Sequence, residues 1–273
     1  MGNYLTDEQI ERAKEQLSVL YAMPYANDLL GTAWEQILAD IKGGKWTMQR
    51  DNRPKPDLVV RERGIETNYS VEAEGGVETN YSVKTEGLRV TSTRKHAADF
   101  LGHQEDIIVA RPKVDDLFGE KESVATMGVN ELGTMVLKYY NEQIVSKYKW
   151  HVIAFLLRLD LGQESREFIY WEERPPAIYN PDDYWWQDSG KATGSNRNIN
   201  GYPRSVSPET KRLPRAKFKW TSGGKQFYVL YEIPRNADIW AIDRTDLTLD
   251  EVQEALRELL RRKQRTLGQD SAT

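Results

Sequence analysis

Residues 150–161 constrain the fold of this chain more than any other stretch, because they are almost continuously apolar. A strand with one face in water alternates apolar and polar residues, whereas a strand covered on both faces is apolar throughout. The stretch is also far shorter than the roughly 20 apolar residues that cross a membrane. The pattern therefore predicts a central strand with structure packed on both of its faces, and it predicts no membrane partner.

Helical periodicity elsewhere in the chain predicts an α/β (α+β) fold. Thr6 and Gln9 form a capping box that begins a helix over residues 7–20, and a second helix follows and ends at Gly43. Alternating segments on either side of residues 221–224 predict a β-hairpin. The other predicted elements are strands over residues 57–62, 106–110 and 167–171, a helix over residues 131–148, and a helix that begins at a second capping box at Thr248.

We expect these elements to form one domain over residues 1–273, built on a mixed central β-sheet that helices flank. Its N-terminal part, residues 1–50, is predicted to be helical. Residues 174–216 are rich in Pro, Gly, Asn and Ser and show little periodicity. Loop regions of this length are usually functional or disordered, so we predict a long loop here.

A twelve-residue sequence occurs twice in succession, in residues 65–76 and 77–88, and both copies contain Glu-Thr-Asn-Tyr-Ser-Val. Two copies are too few for a solenoid. Each copy has about the length of one strand, so the repeat predicts a duplicated β-hairpin arm over residues 65–88.

The composition excludes several kinds of site. The chain has no cysteine, so disulfides, thiolate zinc sites and cysteine nucleophiles cannot form, and its three histidines are too few to predict a multi-histidine metal site. The polar N-terminus lacks the pattern of a secretory signal. We therefore expect a cytoplasmic protein.

The distribution of charge points to nucleic acid although the net charge is −4. Between Lys191 and Lys225 the chain has nine Lys or Arg residues and a single acid, Glu209. A local basic stripe governs contact with phosphates even when the whole chain is acidic. Residues 191–233 are therefore predicted to be a DNA-contacting region.

Within this region, Asn, Arg and Gln side chains can bond to base edges, and lysines can contact phosphates. Two glycines in the hairpin turn would let the backbone approach a partner closely. The predicted DNA-contacting residues are Asn196, Arg197, Asn198, Arg204, Lys211, Arg212, Lys217, Lys219, Thr221, Ser222, Lys225 and Gln226.

Asp57, Ser82 and Lys84 form a candidate hydrolytic site. Side chains alternate along a strand, so Ser82 and Lys84 share one face, and an aspartate on the neighbouring strand can meet them there. Asp57 could hold a divalent cation together with the carbonyl oxygen of Val83, and the cation would polarise a phosphate and help ionise water. Lys84 would orient that water or stabilise the growing negative charge.

Pro56-Asp57 on one strand and Ser82-x-Lys84 on the next resemble the signature of the PD-(D/E)XK nucleases, which include most type II restriction endonucleases. The Pro, the Asp and the Lys of the signature are present, and the middle acid is replaced by Ser82. The resemblance implies a restriction-endonuclease-like fold and a Mg²⁺ cofactor, for which Mn²⁺ could substitute. The serine makes a site with one metal ion more plausible than one with two.

Two further segments carry the resemblance. The segment Gly31-Thr32-Ala33-Trp34-Glu35 is similar to a helix that precedes the Pro-Asp strand in many of these nucleases, and this similarity implies that Glu35 reaches the metal. Residues 218–227 are similar to a late hairpin that lies close to DNA in several restriction enzymes.

The repeat leaves a second registration open. A tight hairpin that turns at Gly64 would place Asp57 opposite Glu72 in the first copy, with Glu72 in the place of the lysine. We favour the second copy because it retains Lys84. Glu72 remains a candidate catalytic residue that could enter the same site from an adjacent strand.

The resemblance implies a type II restriction endonuclease, which would bind double-stranded DNA as a homodimer and hydrolyse one phosphodiester bond in each strand. The two-fold symmetry of the dimer would match a palindromic site. Two alternatives stay open. One is a structure-specific nuclease of DNA repair or recombination, and the other is a non-catalytic DNA-binding module on a nuclease-like scaffold.

Overall fold

A computed structural model describes residues 4–22, 31–46, 58–62, 77–88, 91, 93–112, 117, 123–142, 152–160, 165–190, 197–243, 248, 250–255, 257, 258 and 261. The α-helices are α1 (Asp7–Ala22), α2 (Gly31–Ile41), α3 (Ser123–Thr126) and α4 (Val129–Tyr139). The strands are β1 (Lys45–Trp46), β2 (Leu58–Glu62), β3 (Val77–Leu88), β4 (Gln104–Ala110), β5 (Val152–Asp160), β6 (Ser165–Glu173), β7 (Tyr184–Asp188), β8 (Asn198–Pro203), β9 (Phe218–Thr221), β10 (Gln226–Glu232) and β11 (Asp238–Asp243).

The strands form two sheets. The six-stranded sheet has the order β1-β2-β3-β5-β6-β11, and the five-stranded sheet has the order β4-β10-β9-β8-β7. In the larger sheet β3 and β5 run parallel and the other neighbours run antiparallel, so this sheet is mixed. The predicted mixed α/β class is confirmed, but the expectation of a single sheet is wrong because β4 and β7 to β10 form a second one.

Strand β5 is covered on both faces, as its apolar sequence predicts. Ala154 and Leu156 point into a core that α1 and α2 cover. Phe155 and Leu157 point the other way, into a core shared with the five-stranded sheet and α4. Because side chains alternate along a strand, one run of apolar residues supplies both cores, and the larger sheet becomes the middle layer of three.

Both predicted capping boxes are present. The backbone amide of Thr6 donates to Gln9 Oε1 at 2.9 Å, and the amide of Gln9 donates to Thr6 Oγ1 at 3.2 Å. The amide of Thr248 donates to Glu251 Oε2 at 2.7 Å in the same way, ahead of a helical stretch over residues 250–255. These bonds satisfy amides that a helix start leaves without intrahelical partners.

Residues 174–216 contain two strands, β7 and β8, where the sequence predicts a long loop. β8 pairs with β9 of the predicted hairpin, and β7 pairs with β8 at the edge of the sheet. Both strands are short, and their burial does not alternate cleanly, so their pattern is weak. The strand β11, which does alternate, was also missed; it pairs with β6 at the edge of the larger sheet.

The second copy of the repeat is β3, which lies between β2 and β5 inside the larger sheet. The repeat predicted a β-hairpin arm, whereas this copy is an internal strand of the larger sheet. The first copy, residues 65–76, lies outside the described residues. No helix in the described part of the chain is both long and apolar enough to cross a membrane.

Candidate functional site

Strands β2 and β3, which adjoin the two halves of the predicted catalytic motif in the sequence, pair with each other. Leu58, which follows Asp57, pairs with Tyr81, which precedes Ser82. Asp57 itself lies outside the described residues, and Ser82 is described only in its backbone. The strand that follows the Pro-Asp pair therefore has the second copy of the repeat as its neighbour.

The alternative registration through Glu72 does not fit the described part of β2. A tight hairpin at Gly64 would pair residues 58–62 with the first copy of the repeat. These residues instead have β3 on one side, while β1 pairs with Leu58 and Val59 on the other. Glu72 and Gly64 both lie outside the described residues.

Lys84 lies on the face of the larger sheet that the five-stranded sheet covers. It is in register with Phe155 on the parallel strand β5, and residues in register point to the same side of a sheet. The ring of Phe155 belongs to the core between the sheets, where it stacks on Trp171 with centroids 4.6 Å apart. Lys84 as a whole residue is half-buried.

Glu35 lies on the other side of the larger sheet. It belongs to α2, and it accepts a hydrogen bond at 3.1 Å from Nε1 of Trp46, which packs against the core under α1 and α2. The sheet therefore separates Glu35 from Lys84. The structure does not bring these two predicted site residues together.

A metal site cannot be assembled from the described residues alone. Among them, no group of three His, Asp or Glu side chains could hold a metal ion. The predicted ligand Asp57 lies outside the described residues, and only the backbone of Val83 is described. The divalent cation therefore stays a prediction that depends on Asp57.

The β-hairpin of β9 and β10 is confirmed. Thr221 pairs with Gln226 at its end, and Lys225 in the turn is exposed and has a φ of 50°. A Cβ atom on Gly224 would lie 2.8 Å from Thr221 Oγ1. Glycine therefore permits the close turn that presents Lys225 to solvent.

Polar side chains occupy part of the outward face of the five-stranded sheet, which also carries the stacked rings of Trp185 and Tyr202. Ile199, Trp220 and Phe227 point into the core, so the residues beside them on each strand point outward. We call these residues the amide face. They are Gln187, Asn198, Asn200, Lys219, Thr221, Gln226 and Tyr228.

The amide face is arranged in two rows. In the longer row Gln187, Asn200, Lys219 and Tyr228 are in register across β7, β8, β9 and β10. In the shorter row Asn198, Thr221 and Gln226 are in register.

Four of the predicted DNA-contacting residues lie on the amide face: Asn198, Lys219, Thr221 and Gln226. Sequence reasoning did not select Gln187, Asn200 or Tyr228. The signal for Asn200 and Tyr228 was their position two residues along the strand from a selected residue, which places them on the same face.

Arg197 was predicted to read bases, but it is 8% exposed. Its guanidinium contacts Asp188 through two bonds of 2.6 and 3.0 Å, and its Nη1 donates to the carbonyls of Val124 and Met127 at 3.0 and 2.6 Å. The bonds from Arg197 also hold the pKa of Asp188 below its usual value. Arg197 therefore ties β7 and β8 to the α3 region, and this position does not suit base readout.

Ser222 and Lys217 are likewise engaged inside the protein. Ser222 is 5% exposed, and its Oγ accepts the backbone amide of Arg197 at 2.7 Å. Lys217 donates to the carbonyl of Leu230 at 2.7 Å, and its Nζ lies 5.4 Å from the ring centroid of Tyr231. Burial lowers the pKa of Lys217, so this lysine is poorly placed to contact phosphates.

The remaining predicted contacts are exposed. Arg204, Lys211, Arg212 and Lys225 all face solvent. Arg204 follows β8, Lys211 and Arg212 lie in the connection from β8 to β9, and Lys225 lies at the hairpin turn. Asn196 is outside the described residues.

Comparison of the chain with models of known protein families, with curated proteins and with solved structures gave no match.

Proposed function

We propose that the protein is a Mg²⁺-dependent endonuclease that hydrolyses phosphodiester bonds in DNA. One observation carries the proposal: β2 pairs with β3 so that Leu58, next to Asp57, lies opposite Tyr81, next to Ser82. This register is the one in which an aspartate at the end of β2 can share a site with Lys84. The exposed basic residues near the five-stranded sheet supply the charge that DNA binding requires.

Asp57 and the main-chain carbonyl of Val83 are the residues that would hold the metal ion. When bound, Mg²⁺ supplies a hard positive charge that polarises the phosphate and lowers the pKa of bound water. Ser82 offers no carboxylate, so one metal ion is proposed. Glu35 is left out of the site because α2 packs on the opposite face of the sheet from Lys84.

Lys84 is the residue that would stabilise the negative charge of the reaction. The residue is half-buried, and a charge that acts close to a protein surface is less screened than one in bulk water. It would orient the attacking water and stabilise the negative charge that grows on the phosphate. The finer proposal is a type II restriction endonuclease that acts on double-stranded DNA as a homodimer in the cytoplasm.

The test compares Lys84→Ala with a matched control, Lys138→Ala, which removes an exposed lysine on α4. Removal of one electrostatic contact to a transition state typically costs about 10²- to 10³-fold in rate. We expect this loss for Lys84→Ala in plasmid cleavage with Mg²⁺, and DNA binding within about threefold of the unmodified protein. Near-normal cleavage by Lys84→Ala would exclude the proposed site.

A second candidate function is a DNA-binding module without catalysis. The amide face favours it, because that face offers base-bonding and phosphate-bonding groups, and no group of three His, Asp or Glu side chains in the described residues could hold a metal ion. The same plasmid assay separates the candidates, since a pure binding module leaves the plasmid intact. Discrete fragments would favour a restriction enzyme, and cleavage confined to branched or damaged DNA would favour a repair nuclease.

A further inference from the structure

The breadth of the amide face limits the form of nucleic acid that it can contact. Neighbouring strands lie about 4.8 Å apart, so the four strands from β7 to β10 span about 14 Å. The major groove of duplex DNA is about 12 Å wide and admits a helix or a two-stranded ribbon. A four-stranded face is too broad to enter that groove, whereas an unpaired strand can lie across it.

The chemistry of the face suits exposed bases. Gln187, Asn198, Asn200 and Gln226 carry amides, and each amide has both donors and acceptors. Such groups match the Watson–Crick edges of bases, which are free only when the strand is unpaired. The face therefore offers hydrogen bonds that a duplex cannot use.

Tyr228 supplies an aromatic surface within this set of amides. It lies on β10, in register with Lys219 on one side and Ile108 on the other, and it is half-buried. Its hydroxyl donates to Gln226 Oε1 at 2.6 Å, which fixes the ring and leaves the amide nitrogen of Gln226 pointing away from that bond. Bases stack on such rings in proteins that bind single strands.

The charge around the face also fits a nucleic acid. Along β8 to β10, between residues 197 and 231, Glu209 is the single acid, and the exposed acids of β7, Asp182, Asp183 and Asp188, lie at or next to the ends of that strand. Lys219 is paired with Asp106 at 2.5 Å, so the centre of the face is close to neutral. The exposed cations lie at the strand ends, at Arg204 and Lys225, where a backbone that crosses the sheet would pass.

We propose that the amide face binds single-stranded nucleic acid, with Tyr228 as a stacking platform and the surrounding amides as base contacts. The inference rests on the proposed function in one respect: the bound strand would be an unpaired stretch of the DNA that is cleaved. The aromatic residues on the same side of the sheet, Trp185 and Tyr202, stack on each other with ring centroids 4.8 Å apart, and the polar residues of the amide face suit a nucleic acid better than a dimer core.

The test uses the full chain with Lys84→Ala, in EDTA, and measures fluorescence anisotropy with a labelled single strand of about 20 nucleotides and with its duplex. We expect the single strand to bind at least about tenfold more tightly than the duplex. Tyr228→Leu combined with Asn200→Ala should weaken single-strand binding about tenfold or more. Duplex binding should change by less than about threefold.

The matched control is Gln36→Ala, which removes an exposed amide on α2, beyond the opposite face of the larger sheet; it should leave binding unchanged. Asn200→Asp is a second variant for the case that the double variant fails to fold, and its added charge should also weaken single-strand binding. Equal affinity for both forms, or a variant that changes oligomeric state in light scattering, would overturn the inference. Plasmid cleavage by the unmodified chain is scored separately, so the proposed nuclease can stand when this inference fails.

Discussion

Burial decides which polar side chains can act on a partner. Arg197 and Lys217 come from the same basic segment as Lys211 and Arg212, and the sequence gives all four the same charge. Arg197 and Lys217 are engaged by internal carbonyls and rings, whereas Lys211 and Arg212 are exposed. The basic composition of this segment is visible in the sequence. Which of its charged side chains are buried depends on packing between elements that are distant in the sequence, and the sequence alone could not predict it.

Asp57 is the residue on which the metal proposal depends. Without a cation its carboxylate repels the phosphate, and a hard divalent ion reverses the local sign. We expect plasmid cleavage in Mg²⁺ or Mn²⁺, none in EDTA, and binding with little hydrolysis in Ca²⁺. Asp57→Asn should lose activity in every metal, because a neutral amide holds the ion weakly. Robust cleavage in EDTA, or by Asp57→Asn, would contradict the mechanism.

Glu173 should make the stability of the protein depend on pH. Its Oε1 accepts the amide of Ala177 at 3.3 Å, and its Oε2 is buried. Burial raises the pKa of Glu173, and the amide of Ala177, the hydroxyl of Tyr231 and the charge of Lys217 oppose part of this rise. A carboxyl whose pKa is higher in the folded state contributes stability below its unfolded pKa, and this contribution is lost as the pH rises through the folded pKa.

Glu173→Gln resembles the protonated carboxyl and should remove this pH dependence. We expect the free energy of unfolding of the variant to exceed that of the unmodified protein by an amount that grows as the pH rises from about 4, near the ordinary pKa of a glutamate, toward neutral pH. Urea unfolding at several pH values measures the difference. Glu131→Gln, at an exposed position on α4, is the control and should show no such trend. A constant difference across this range would contradict the assignment.

At the level of elements, α4 packs on the five-stranded sheet through a side-chain contact that no local sequence pattern predicts. Trp186 on β7 is buried against Gly133 on α4 and Gly201 on β8. Its backbone amide donates a hydrogen bond to Asn130 Oδ1 at 2.7 Å. A helix and two strands therefore meet around one indole ring.

Gly133→Ala should break this packing. A Cβ atom at Gly133 would lie 2.1 Å from the ring of Trp186, which is buried, so the helix or the ring would have to shift. Overpacking of this kind typically costs about 1–3 kcal/mol, and we expect a loss near the upper end in urea unfolding. Gly87→Ala is the control, since its Cβ would have only a 3.8 Å contact with Arg158. A stable Gly133→Ala variant would contradict the arrangement of α4 on β7.

The elements with strong local signals were predicted correctly. α1 follows from its capping box, β5 from its apolar run, and the hairpin of β9 and β10 from its turn. β7, β8 and the place of β3 were not predicted, because their positions are fixed by pairing with distant strands and by contacts such as that of Trp186. At the candidate site, β2 pairs with the second copy of the repeat, which is the registration that we favoured. The position of Glu35 was not predictable in the same way, because the side of the sheet on which α2 packs depends on tertiary structure.

For the molecule as a whole, the two sheets share one hydrophobic core. The two proposed functions, DNA cleavage and single-strand binding, are assigned to different sheets. Phe155 and Trp171 of the larger sheet and Phe218 and Phe227 of the smaller sheet belong to the same hydrophobic cluster. The proposed cleavage site is on the larger sheet, and the amide face is on the far side of the smaller one. The exposed cations near β8, β9 and β10 are available to contact the phosphates of bound DNA.

Salt dependence measures how many of those cations meet phosphates. Five Lys or Arg residues between 197 and 225 are exposed: Arg204, Lys211, Arg212, Arg215 and Lys225. If all five release counterions on binding, log K should fall against log salt with a slope of about −4.5. Replacement of both Lys211 and Arg212 by Gln should reduce the slope by about 2, while Lys95→Gln, at an exposed site outside this segment, should not change it. Fluorescence anisotropy at several salt concentrations gives the slope, and a flat dependence would show that these cations face solvent in the complex.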